Sequence, residues 1–120
     1  MSNTVLLEKR MLQPKLLIVN RGKLTEYYIP GKAVIGRNTS SNTVDIDLKS
    51  DFVSRKHAEI GYDDKGYYFI SLSDKNGTYY NGKRLNVEYK QYLTDGDVLH
   101  IFNGNIVSEC DFISMVLSGL

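Results

Sequence analysis

A chain of 120 residues is long enough for one domain with a sizeable hydrophobic core and needs no covalent staple. Apolar residues make up 42% of it and charged residues 24%, with a formal net charge of +1. That balance argues against extended disorder and gives no global field toward nucleic acid or membrane, so an anion must be held by a local cluster. The single cysteine, Cys110, excludes an internal disulfide and a CxxC metal pattern, and the expectation for it is a buried apolar thiol. The apolar run Val5-Leu6-Leu7 is cut off by Glu8, Lys9 and Arg10, too short for a signal peptide, and no stretch reaches the roughly 20 apolar residues of a membrane span. A reducing, cytoplasmic setting is the expectation, with no cofactor and no metal.

Residues 1–14 show no clean period and read as an N-terminal tail ending at Pro14. Lys15 to Asn20 carries a compact apolar run of strand length, Arg21-Gly22-Lys23 is a turn, and Leu24 to Ile29 returns as a second strand before Pro30-Gly31. Ala33 to Ile35 ends at Gly36-Arg37, and a polar loop follows through Thr43. Asp45 to Leu48 alternates with period two, as a half-buried strand does, and the next loop, Lys49 to Arg55, carries Phe52-Val53 as an anchor to the core.

His57 to Tyr62 and Gly66 to Leu72 form a hairpin, with Ala58 and Ile60 on one face and Tyr68, Ile70 and Leu72 alternating likewise. Asn81-Gly82, inside Tyr79 to Leu85, is the strongest hairpin signal, because both residues accept the positive φ angles of a type I′ turn. Val98, His100 and Phe102 alternate against Leu99 and Ile101, and Glu109 to Leu117 is the last strand, with its phase unresolved. No segment carries a 3.6-residue apolar stripe, so many short strands point to an all-β, two-sheet antiparallel sandwich.

The polar residues of this chain sit at strand ends, where recognition surfaces are usually built. Gly36-Arg37, Ser54-Arg55-Lys56-His57, Asn76-Gly77-Thr78 and Asn81-Gly82, in that order and at those separations, resemble the forkhead-associated (FHA) domain, a phosphothreonine-binding β-sandwich. The resemblance covers residues 15 to 117 and leaves 118–120 as a C-terminal end. It implies an antiparallel sandwich of about eleven short strands and no enzymatic activity. Carried onto this chain, it implies that Arg37, Ser54 and Arg55 bind the phosphate, and that Asn76 holds the peptide backbone. Lys75 stands where the family often places a Ser or Thr, and it offers a point charge to the phosphate instead. Gly36, His57, Gly77, Thr78 and Gly82 are structural parts of the motif, and Asn81, chiefly a turn residue, is a further peptide contact.

The chemistry agrees with that resemblance, since a phosphothreonine carries roughly −1.5 to −2 charges and three acceptor oxygens, which guanidinium forks meet two at a time. The implied partner is a phosphothreonine-containing protein, a Ser/Thr kinase or its substrate, and the domain would act as adaptor or regulator. A phospho-independent scaffold of the same fold is the competing reading. Ser54, His57 and Asp51 lie too close in sequence to suggest a triad, whose members normally come from separate elements. The Tyr pairs at 27/28, 67/68 and 79/80 each span both faces of a strand, which argues against a stacking platform for nucleic acid. Thr4 in the tail is a candidate for self-regulation by phosphorylation.

Overall fold

Period-two alternation of apolar side chains assembles this chain, as a computed structural model that describes residues 14–29, 31–104 and 108–119 shows. The expected tail through Gln13, and Thr4 with it, lies outside the described residues. The strands are β1 (Lys15–Asn20), β2 (Lys23–Tyr28), β3 (Lys32–Gly36), β4 (Ile46–Asp47), β5 (Lys56–Asp63), β6 (Gly66–Ser71), β7 (Tyr79–Tyr80), β8 (Lys83–Arg84), β9 (Lys90–Tyr92), β10 (Val98–Phe102) and β11 (Phe112–Ser118). They form one sheet in the order β2-β1-β11-β10-β7-β8 and a second in the order β4-β3-β5-β6-β9.

Leu16 and Ile18 of β1, Leu99 and Ile101 of β10, and Ile113, Met115 and Leu117 of β11 face inward from the first sheet. Ala33, Ile35, Ala58, Ile60 and Phe69 meet them from the second. Burying each large apolar side chain stabilises the fold by about 1.5 to 3 kcal/mol, so this shared layer holds the sheets together. Phe69, fully buried on β6 and the largest of the fully buried side chains, is the one whose truncation would open the largest cavity.

Two hairpins close through type I′ geometry, with φ of 53° and 73° at Arg21 and Gly22, and 47° and 89° at Asn81 and Gly82. Asn81-Gly82 is as expected from its composition. Arg21 has no such signature, and the hairpin forms because β1 and β2 pair in a register that leaves two residues for the loop.

The structure corrects several expectations. Cys110 is exposed rather than buried, because residues Glu109–Asp111 form a 3-10 turn capped by Ser108 instead of opening the last strand. β11 begins at Phe112, which fixes its phase with Ile113, Met115 and Leu117 inward. On β6 the core-facing residues are Phe69 and Ser71, opposite Ile60 and Ala58, so Tyr68 and Ile70 lie on the outer face with Leu72 just beyond them. Tyr68 is nonetheless buried, because a Cβ on Gly61 would come within 2.9 Å of its hydroxyl and the ring fills the space that Gly61 leaves. β4 shrinks to two residues and pairs in parallel with β3, so the second sheet is mixed. β9 has no signal in the sequence, since Lys-Gln-Tyr offers no apolar alternation, and its pairing with β6 creates it.

Candidate functional site

Antiparallel register gathers three loops at one end of the second sheet. Gly36, the last residue of β3, lies opposite Lys56 at the start of β5, and Ser71, the last of β6, lies opposite Ala58. The segments 37–45, 48–55 and 72–78 therefore emerge side by side.

Gly36 permits the first contact. A Cβ there would sit 2.1 Å from the Arg55 carbonyl oxygen, so only glycine lets the two backbones approach this closely. The Arg37 N–H then donates to that same oxygen at 3.2 Å, and its Nε donates to the Val53 carbonyl at 3.0 Å. Val53 is buried and Phe52 packs against the core, so the expected anchor holds this loop, and the loop in turn fixes the Arg37 guanidinium. Asn42 adds a cross-tie, its amide donating to the carbonyls of Arg37 and Arg55 at 3.0 and 3.2 Å.

His57 joins the second loop to the third. Its ring is fully buried, and Nδ1 accepts the Ser54 N–H at 3.1 Å, which requires the proton to sit on Nε2, where it is donated to the Gly77 carbonyl at 2.9 Å. Burial pulls the imidazole below its ordinary value, against the opposing effect of the Gly77 bond, so the ring is neutral at pH 7. Both ring nitrogens are engaged by backbone, and the Ser54 hydroxyl is bonded elsewhere. The pair has no general-base geometry.

The third loop turns on Asn76 and Gly77, at φ of 63° and 58°. Asn is among the few residues that tolerate this region, and a side chain at Gly77 would collide with the Arg84 guanidinium, 2.9 Å away. Arg84 also donates to the Asp74 carbonyl, so the β7–β8 hairpin braces this loop from below. The Asn76 amide donates to the Phe52 carbonyl at 2.9 Å, completing the tie back to the second loop. Thr78 is buried, and its Oγ1 has no hydrogen-bond partner among the described residues.

Asn81 is not brought into this cluster. Its Oδ1 accepts the Val98 N–H at 2.9 Å and its amide donates to Asp97 at 3.3 Å, so the side chain serves the hairpin and β10. Asp97 is held below the ordinary carboxylate range: burial alone would raise it, but bonds from Thr94, Tyr80 and Asn81 outweigh that. The same bond, with burial, pushes the Tyr80 phenol up to about 12.

Ser73 belongs to the cluster although its sequence context did not single it out. Its Oγ lies 2.6 Å from Ser54 Oγ and accepts the Lys75 N–H at 3.2 Å. The second contact has a local signature, a serine two residues before a loop amide. The first joins residues in separate loops.

The electrostatics follow from what is missing nearby. The ion pairs among the described residues, Lys15–Glu26, Lys32–Glu59 and Lys90–Asp63, all lie elsewhere. Arg37, Arg55, Lys56 and Lys75 thus have no carboxylate partner among the described residues, and the last three are exposed. A 400 Å³ trough lined by Ser41, Asn42, Ser54, Arg55 and Lys56 adjoins them on one side. Another of 370 Å³ has Arg21, Phe52, Lys75 and Asn76 in its walls, with Asp51 as the one carboxylate among its lining residues. A larger cavity, 540 Å³, opens between the edges of β2 and β4, but it mixes Lys23 and Lys49 with Glu26, Asp45 and Asp47 and so favours neither sign of charge. Among the described residues no cluster of His, Cys, Asp and Glu could hold a metal ion.

Several solved structures share this architecture. The yeast Pml1 splicing factor superposes with a TM-score of 0.70 at 19% identity, over 88% of this chain and 78% of that one. The N-terminal FHA domain of S. cerevisiae Rad53p, solved in complex with a phosphothreonine peptide, gives 0.68 at 21% identity, over 87% and 92%. An engineered FHA with a Myc-pTBD peptide gives 0.65 at 19%, over 88% and 91%. These likenesses establish the fold, and no curated protein sequence matches the chain. The family model described as FHA domain matches residues 33–102, which takes in β3 through β10 and every loop of the cluster, and the chain belongs to the FHA domain family.

Proposed function

We propose that this domain captures phosphothreonine within an extended segment of a partner protein and acts, without catalysis, as an adaptor or regulator downstream of a Ser/Thr kinase. FHA domains in general bind phosphopeptides. The observation that carries the reading here is that Arg37, Arg55 and Lys75, none with a carboxylate partner among the described residues, lie on the same three neighbouring loops as Ser54, two of which the His57 brace joins. A phosphate dianion would gain charge-assisted bonds from both guanidinium forks, with Lys75 as a point charge and Ser54 as a compact donor. Asn76, steadied on the Phe52 carbonyl, offers the rest of its amide to the peptide backbone. Asn81, whose amide is engaged on β10, serves the turn.

An oriented phosphopeptide library screened against the domain tests this directly. The expected result is selection of phosphothreonine, with loss of binding when the phosphate is removed or replaced by Glu, whose planar carboxylate carries one charge. Equal affinity for matched phosphothreonine, unphosphorylated and Glu peptides overturns it and leaves the phospho-independent scaffold.

A further inference from the structure

The Ser54–Ser73 contact has a consequence for how an anion would be held. At 2.6 Å the two hydroxyls share one proton between their oxygens, and either can supply it. Ser73 Oγ already accepts the Lys75 N–H, so one of its lone pairs is committed. If Ser54 donated to Ser73, the Ser54 oxygen would turn its lone pairs toward an arriving anion. If Ser73 donates instead, the Ser54 proton is free to point outward. An anion selects the second arrangement, because it attracts the proton and repels the lone pairs.

We propose that Ser73 is a positioning residue of the anion site: its hydroxyl donates to Ser54 Oγ and so aligns the Ser54 proton toward the phosphate. This rests on the phosphothreonine reading above. It also supplies a hydroxyl to this loop although Lys75 occupies the position where a Ser or Thr was expected. The chain of donors runs Lys75 N–H to Ser73, Ser73 to Ser54, and Ser54 to the phosphate, and each bond polarises the next. Ser54 is itself fixed from behind, since its N–H is held by the buried His57. That bond sets the Ser54 backbone, and Ser73 acts on what it leaves free, the side-chain torsion and the direction of the hydroxyl proton.

A double-mutant cycle separates this role from simple loop shaping. The probe is a phosphothreonine peptide taken from the oriented library, measured against Ser54→Ala, Ser73→Ala and the double variant, each checked by thermal melting. Ser73→Ala should weaken binding about three- to tenfold in the parent, the range expected for one neutral hydrogen bond. In the Ser54→Ala background it should change nothing, because the relay has lost its last member. Ser73→Thr, which keeps the hydroxyl, should restore affinity to within about twofold of the parent.

An equal loss from Ser73→Ala in both backgrounds would mean that Ser73 acts through the Lys75 N–H on loop shape, and the relay is overturned. Parent-like affinity of Ser73→Ala, while Ser54→Ala is weakened, overturns the relay and leaves the phosphate site standing. If Ser54→Ala binds like the parent, or the library yields no phosphate-dependent binder, the phosphate site itself fails and the relay with it.

Discussion

Arg37 and Arg55 are both assigned to the phosphate, yet their surroundings predict that losing them will have different side effects. The Arg55 side chain is exposed and has no hydrogen bond or ion pair among the described residues, so Arg55→Ala should leave stability within about 0.5 kcal/mol of the parent. Arg37 is half-buried, and its Nε holds the Val53 carbonyl at 3.0 Å, so Arg37→Ala removes one internal bond worth about 1 kcal/mol. For a domain of this size that is a fall of about 4 °C in Tm. Each arginine contributes charge-assisted bonds to a bound phosphate, and each Ala variant should lose about 1.5 to 3 kcal/mol, or roughly ten- to a hundredfold in affinity. Arg→Lys should rescue only partly, since the ammonium keeps the charge without the fork; at position 37 it also cannot reproduce the Nε bond. Fluorescence polarisation with a labelled phosphothreonine peptide at fixed ionic strength, beside thermal melts, reads both quantities. Two folded Ala variants that bind like the parent would refute the assignment. An Arg37→Ala variant that loses stability alone would make that residue purely architectural.

Acidity should act twice. Binding should weaken as pH falls through about 6, where the phosphate takes up its second proton. Separately, His57 has a folded value below 6.5, so the unfolded chain takes up the proton first; its contribution to stability is complete above that pH and is lost as pH falls toward the folded value. Melts of the parent and of His57→Gln between pH 7.5 and 5 should differ in slope, and equal slopes would reject the buried neutral imidazole. Gly36→Ala, whose Cβ would sit 2.1 Å from backbone oxygen, should destabilise the fold by at least 1 to 3 kcal/mol, as overpacking typically does, and weaken peptide binding; parent-like melting and affinity would refute the close approach. At the far end of β5, the Tyr92 hydroxyl above all, with the Lys65 N–H and Lys90, holds the Asp63 carboxyl down to about 2 against the opposing effect of burial. An NMR titration that places Asp63 near its ordinary 3.8 would show that these bonds are absent in solution.

What the sequence made legible is what a few neighbouring residues can encode. Asn81-Gly82 specifies its turn because both residues tolerate positive φ, and Ile101 beside His100 shows its face because a strand alternates. Cys110 misled because a free thiol is more often buried, whereas here the Ser108 cap and the 3-10 turn decide its exposure. The phase of β6 is hidden for a related reason: Tyr67 to Ile70 is apolar on both faces, and it is the register with β5 that sets Phe69 opposite Ile60, while Gly61 leaves room for Tyr68 outside. β9 has no apolar pattern to read and exists because β6 presents it an open edge. Ser73 is the clearest case. Its bond to Ser54 spans 19 positions and requires the register of β5 and β6, the His57 brace and the Gly36 contact to be in place first. A contact created by the convergence of loops has no local signature. Sequence motifs therefore announce the residues that shape the backbone, Gly36, Asn76 and Gly77, and the motif's own Arg37, Ser54 and Arg55, whereas a residue joined to them only across loops, as Ser73 is, becomes visible once the loops have met.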